Sequence, residues 1–178
     1  MKTNIIIGLL TMTLFSSCYK SIFGGKDDIL SLPKQPYTGN ELRTDGYYYM
    51  TFKDGIFVRF LYRNGIMLDG GGLEKTDIPY YEERIINGEF YDHVKNVKFG
   101  WGVFVIQGNN IKYERWYPSA PPYKVYVREG AIINDTTFII TKLYRMVNGE
   151  ITEESDLNEI YHFKAFSPKP DSTNSFIP

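Results

Sequence analysis

The chain has 178 residues, enough for one domain with a buried core and crowded for two. Its 20 Lys and Arg against 21 Asp and Glu give a net charge of −1 with no long run of one sign, which argues against the concentrated basic face that nucleic acids and acidic polymers require. The excess lies instead in 15 Tyr and 12 Phe, residue types that favour strands and also line binding surfaces.

One lysine precedes an uncharged stretch from Ile5 to Phe15, the length of a signal-peptide core and too short to span a bilayer. The residues that follow, Leu14-Phe15-Ser16-Ser17-Cys18, hold the only cysteine of the chain. A lone cysteine has no disulfide partner, and in an oxidising compartment an exposed free thiol is a liability. The stretch resembles the lipobox of bacterial lipoproteins, with Phe15 where a smaller aliphatic residue is usual. The resemblance implies that residues 1–17 are a signal peptide, and that Cys18 carries lipid and tethers the chain to a membrane. Two or more acyl chains are needed for a firm hold. Tyr19, where an aspartate would favour the inner membrane of a Gram-negative bacterium, points to the outer membrane.

Residues 18–41 mix Gly, Pro, Lys and Asp without a period and read as a spacer between lipid and domain. From residue 42 the punctuation is regular. Asp54-Gly55, Asn64-Gly65, Gly108-Asn109, Asn134-Asp135 and Asn148-Gly149 separate segments rich in Tyr, Phe, Ile and Val, the pattern of successive hairpins. Eight strands are expected, over 46–52, 56–63, 66–69, 101–107, 110–117, 123–129, 136–145 and 159–166. The sequence Asp69-Gly70-Gly71-Gly72 reads as a flexible turn, since no Gly-Lys-Ser/Thr follows to make a phosphate loop. Between residues 73 and 95 the strand rhythm gives way to helix signals. Asp77 can cap, Pro79 suits a first turn, Ile78, Tyr81 and Ile85 share a face, and Asn87-Gly88 can end the helix.

Eight antiparallel strands in one small domain bury their inner faces and remove their edges by closing on themselves. The expected fold is therefore all-β, mainly antiparallel, a barrel of about eight strands with one short helix, over residues 42–166, followed by a C-terminal tail at 167–178. Trp101-Gly102-Val103-Phe104-Val105-Ile106-Gln107-Gly108-Asn109-Asn110-Ile111 resembles a hairpin of the lipocalin-like modules found in uncharacterised bacterial lipoproteins, and 42–49 and 169–174 add to the likeness. Gly46-Tyr47-Tyr48 stands where true lipocalins carry Gly-x-Trp. The resemblance implies a cup-shaped barrel and no particular activity.

Chemistry-bearing patterns are sparse. The histidines are His93 and His162, with no metal-ligand spacing, and no nucleophile motif occurs. Glu82-Glu83 and Glu153-Glu154 read as solvated surface pairs. No cofactor, metal site or catalytic residue is expected, and the chain does not read as an enzyme. Arginines among apolar strand residues carry more information, because a guanidinium inside a barrel meets a carboxylate or phosphate through two parallel hydrogen bonds. By alternation Arg59 lies with Phe57 and Leu61, Arg115 with Tyr113 and Ile111, and Arg145 with Leu143 and Thr141. The expected ligand site places an anionic head on Arg59 or Arg145 and an apolar tail on Tyr49, Phe60, Phe104 and Ile106. Two functions follow: a lipid-anchored envelope module carrying a small amphipathic ligand, or a structural or adaptor lipoprotein that docks an envelope protein or a glycan through exposed aromatic residues.

Overall fold

A computed structural model of the chain describes residues 25–89 and 94–178, so the signal segment, Cys18 and His93 lie outside the described residues. Strands β1 (Gly46–Phe52), β2 (Gly55–Leu61) and β3 (Ile66–Glu74) lead into helix α1 (Ile78–Ile86). Strands β4 (Trp101–Gln107), β5 (Asn110–Trp116), β6 (Val125–Asn134), β7 (Thr137–Val147) and β8 (Glu150–Ala165) follow. Each strand pairs antiparallel with the next and β8 returns to β1, closing an eight-stranded barrel. The fold is compatible with the lipocalin-like class.

Strand β6 runs on past the expected residue 129 to Asn134, and two further elements differ from the sequence expectation. Strand β8 begins at Glu150 and not near residue 159, because the Asn148-Gly149 turn has φ values of 54° and 86° and feeds a long hairpin with β7. Residues 150–158 lack an apolar face and are held by cross-strand charge pairs such as Lys142–Glu154 at 2.7 Å and Arg145–Glu153 at 3.4 Å. The second difference is that Asp69-Gly70-Gly71-Gly72 is no turn but part of β3. Opposite β2 the register passes from Val58↔Gly71 to Arg59↔Asp69, so Gly70 is the extra residue of a β-bulge. Gly71 takes φ 87°, which only glycine adopts cheaply, and its N–H donates to Asp69 Oδ1 at 2.9 Å.

Apolar side chains are buried on both faces of the barrel wall. Inside, Tyr48, Met50, Leu61, Met67, Phe104, Tyr113, Phe138 and Tyr161 form one cluster, with Phe138 stacked on Tyr161 at 4.8 Å. Outside, Tyr47, Val58, Phe60, Leu68, Trp101 and Trp116 form another, covered by Tyr81 and Ile85 of α1, Leu30 and Leu32 of the N-terminal segment, and Phe176 and Ile177 of the tail. Burying Tyr81 and Ile85 contributes about 1.5–3 kcal/mol each as an upper estimate, which fixes α1 to the wall. Tyr81 Oη donates to the Gly70 carbonyl at 3.1 Å, an approach open only because residue 70 has no side chain.

One end of the barrel is plugged. Tyr37 and Leu42 pack into the interior cluster, and the Leu42 N–H donates to Tyr37 Oη at 2.7 Å. Lys169 of the tail donates to the Thr44 and Leu61 carbonyls at the same end. Residues 25–32 run along the outer wall towards the opposite end. There the Asp28 N–H donates to the Tyr123 carbonyl at 2.9 Å, and the Asp28 carboxylate takes Arg145 at 2.9 Å. Glu114 accepts the N–H groups of Ser31 and Leu32 at 2.6 and 2.7 Å.

Candidate functional site

The opposite end is open and holds a cavity of about 360 Å³. Its deep side is made of Arg59 on β2, Asp69 at the β3 bulge, Arg115 on β5, Arg128 on β6 and Glu159 on β8. Met50, Phe57, Val94, Val97, Phe99 and Pro118 complete the wall. The charged groups are the more deeply buried: the Arg59 side chain is 5 % exposed and Arg115 9 %, whereas Phe57 at the rim is 37 % exposed.

Local geometry explains how two cations reach one carboxylate. The bulge turns Asp69 inward beside Arg59, its partner in register, and the two ion-pair through Arg59 Nη1 and Asp69 Oδ1. Arg115 must cross β4 to arrive at the same group, and it does so next to Gly102, its partner in register. A Cβ at residue 102 would sit 2.8 Å from Arg115 Cβ, so glycine clears the route. Arg115 Nη2 then lies 2.9 Å from Asp69 Oδ2, while its Nη1 donates to the Phe99 carbonyl at 2.9 Å. A second chain of contacts joins Arg128 Nε to Glu159 Oε2 at 3.6 Å, and Tyr161 Oη donates to the same oxygen at 3.1 Å.

The electrostatics follow from burial and from the excess of cations. Burial works to raise the Asp69 carboxyl, but Arg59, Arg115 and the Gly71 N–H outweigh it and hold the group below its ordinary range. Burial likewise opposes the Arg59 charge, yet Asp69 and the Tyr161 and Tyr113 hydroxyls lift the group well above normal. For Arg115 burial dominates, reinforced by Arg59 and Arg128, and the shift is downward despite Asp69. A guanidinium stays protonated even so, and Arg115 is the cation whose charge is least well compensated. The Nε atoms of Arg59, Arg115 and Arg128 are buried and, among the described residues, have no hydrogen-bond acceptor. Unmet donors on buried cations are costly, and these add to the expense of holding three guanidinium groups together.

The sequence-expected residues separate. Arg59 lines the cavity. Phe60 and Tyr49 lie on the outer face, packed with Tyr47 at centroid distances of 5.8 and 6.5 Å. Phe104 meets Tyr37 near the plugged end at 5.8 Å, and Ile106 packs against the same interior cluster. Arg145 does not line the cavity and is held by Asp28 and Glu153. Asp69, Arg128, Glu159 and the 94–100 segment escaped the sequence reading. A signal for Arg128 existed in the strand pairing, since Arg128↔Tyr113↔Phe104 places it on the inner face. Among the described residues no group of three or more His, Cys, Asp or Glu could hold a metal, and no helix is long and apolar enough to cross a membrane.

Fold and site together define a closed antiparallel barrel with one plugged end and a cation-rich cavity at the other. No family model, no curated protein and no solved structure matches this chain.

Proposed function

We propose that this chain is a lipid-anchored envelope binding module whose barrel carries a small amphipathic ligand. The observation that carries the reading is the cavity of about 360 Å³, apolar at its mouth and cationic at its depth. Its size falls within the range of about 300–1,000 Å³ of small-molecule sites, and its few polar groups converge on one point. The sequence stretch ending in Cys18 supports the anchor and an outer-membrane address. Gly25 packs against Pro122 of the loop that follows β5, at the open end. Seven peptide units from Cys18 to Gly25 reach at most about 25 Å, so an acylated Cys18 would keep the mouth close to the lipid surface.

A second reading, an adaptor that docks an envelope protein or a glycan, draws on a different feature: Phe52, Phe57 and Tyr80 are exposed and border one groove beside α1. Native mass spectrometry of the full chain isolated from membranes separates the two readings. A small acidic amphiphile co-purifying with the protein supports the carrier. An empty barrel, together with no saturable binding across a panel of amphiphiles, refutes it and favours the adaptor. Cys18→Ser should move the chain from the membrane to the soluble fraction, and unchanged membrane association would refute the anchor.

A further inference from the structure

The carrier reading leaves open what the ligand's head is and which way it enters. Among the described residues, the charged side chains lining the cavity are Arg59, Arg115, Arg128, Asp69 and Glu159, three cations against two anions. Asp69 is shared by Arg59 and Arg115, and Glu159 faces Arg128. One positive charge therefore has no counterpart among the described residues, in a pocket where burial makes an uncompensated charge expensive. Among the described residues the Nε atoms of the three arginines also have no hydrogen-bond acceptor, that of Arg128 standing 3.6 Å from Glu159 Oε2.

We infer that the cavity takes a ligand with a single negative charge on a planar head, a monocarboxylate, and takes it head first. This rests on the carrier reading. A monocarboxylate brings the five lining charges to neutrality and places a planar anion of the kind that guanidinium groups bind best beside them. A dianionic head overshoots to −1, a neutral head leaves +1 in place, and a cationic head raises it to +2. The orientation follows from the gradient in the wall. The guanidinium groups are nearly inaccessible, while Phe57, Val97, Phe99 and Pro118 stand nearer solvent. An apolar tail lies against this collar and leaves through the mouth, the reverse of a tail-first carrier.

Isothermal titration of the full chain in phosphatidylcholine nanodiscs, with empty discs as the blank, tests the charge and the orientation separately. At pH 7.5 octanoate should bind at least about tenfold more tightly than octanol or octyl phosphate, the last being largely dianionic there, and octyltrimethylammonium should not bind. Arg128→Gln brings the summed charge of the lining to zero and should weaken octanoate about tenfold or more. Glu159→Gln doubles the excess and should move the preference towards octyl phosphate. Combining the two restores +1 and should return much of the preference for octanoate, which a merely misfolded cavity would not do. From hexanoate to dodecanoate the affinity should rise and then level off, since a protruding tail meets no floor; a sharp loss at a given length would overturn the head-first orientation. Preferences that do not follow the charge changes would overturn the inference and leave the carrier intact. Absence of binding by every probe would overturn both.

Discussion

Replacement of Gly70 by Ala tests how α1 is locked to the barrel. A Cβ at residue 70 would overlap the Tyr81 hydroxyl oxygen and lie 3.1 Å from Val58 Cβ and Cγ1. The Tyr81 side chain must then retreat and give up its 3.1 Å hydrogen bond to the Gly70 carbonyl. Overpacking of this kind costs about 1–3 kcal/mol and the lost bond about 1 kcal/mol more, so Gly70→Ala should destabilise by roughly 2–4 kcal/mol. Tyr81→Phe alone loses the bond and should cost about 1 kcal/mol. The double variant is the informative one. The only atom in overlap with the new Cβ is the hydroxyl oxygen, the next nearest being at 3.1 Å, so removing that oxygen relieves most of the clash. Gly70→Ala/Tyr81→Phe should therefore be more stable than Gly70→Ala, by about 1–2 kcal/mol. Equilibrium urea unfolding of the four proteins measures this, and thermal midpoints should move by about 2–4 °C for each kcal/mol. Gly71→Ala supplies a contrast, because a Cβ there meets nothing within 4 Å and only the φ of 87° is strained. Strictly additive effects at residues 70 and 81 would refute the proposed contact.

Three further outcomes are expected. Lys169 is pushed down to about 8 by burial, so between pH 8 and 10 the folded chain sheds its proton while the unfolded chain keeps it, and stability should rise with pH over that window. Lys169→Met should remove this slope, and parallel unfolding curves for the two proteins would contradict the assignment. At the acid end Asp171 is held at about 2, mainly by its hydrogen bond from Lys95, and Asp69 is also lowered. Their stabilisation is present above the unfolded value of about 3.9 and is lost as pH falls through the lower folded values, so Asp171→Asn should flatten the acid limb of a pH–stability curve. Glu114→Ala leaves the Ser31 and Leu32 N–H groups without their acceptor and should cost roughly 2–4 kcal/mol. Faster amide exchange at residues 31 and 32 is the local readout, and unchanged exchange would show that the segment is held by other contacts.

Strands β1, β4 and β5 were legible to within a residue, because Asp54-Gly55 and Gly108-Asn109 mark hairpins whose flanks alternate. The first half of β8 was not, since charge pairing across the hairpin replaces the apolar alternation there. Glycine concealed the bulge: three in succession read as a turn, although here they serve a close helix contact and an inward carboxylate. Alternation could assign Arg59 and Phe60 to opposite faces but could not say which face is the interior, because α1 and both chain ends bury the outer one as well. Arg115 was visible as an arginine in an apolar face. Its meeting with Asp69, Arg128 and Glu159 depends on closure between strands distant in sequence, which no local pattern encodes.

The charged cluster also bears on how the barrel holds together. Strand β3 pairs with β4 only over Ile66–Leu68, and β1 pairs with β8 only over Gly46–Tyr49, whereas β7 and β8 are zipped from Thr137 to Val147. These two short seams divide the wall into a small shell, β1–β3, and a large one, β4–β8. Asp69 belongs to the small shell and Arg115 to the large one, so their ion pair spans the divide like a cross-brace. Met50 and Glu159 line the cavity from opposite sides of the β1–β8 seam, beyond the point where its pairing stops. An anion seated on these arginines would thus draw the shells together, and its binding would then be linked to the integrity of the barrel.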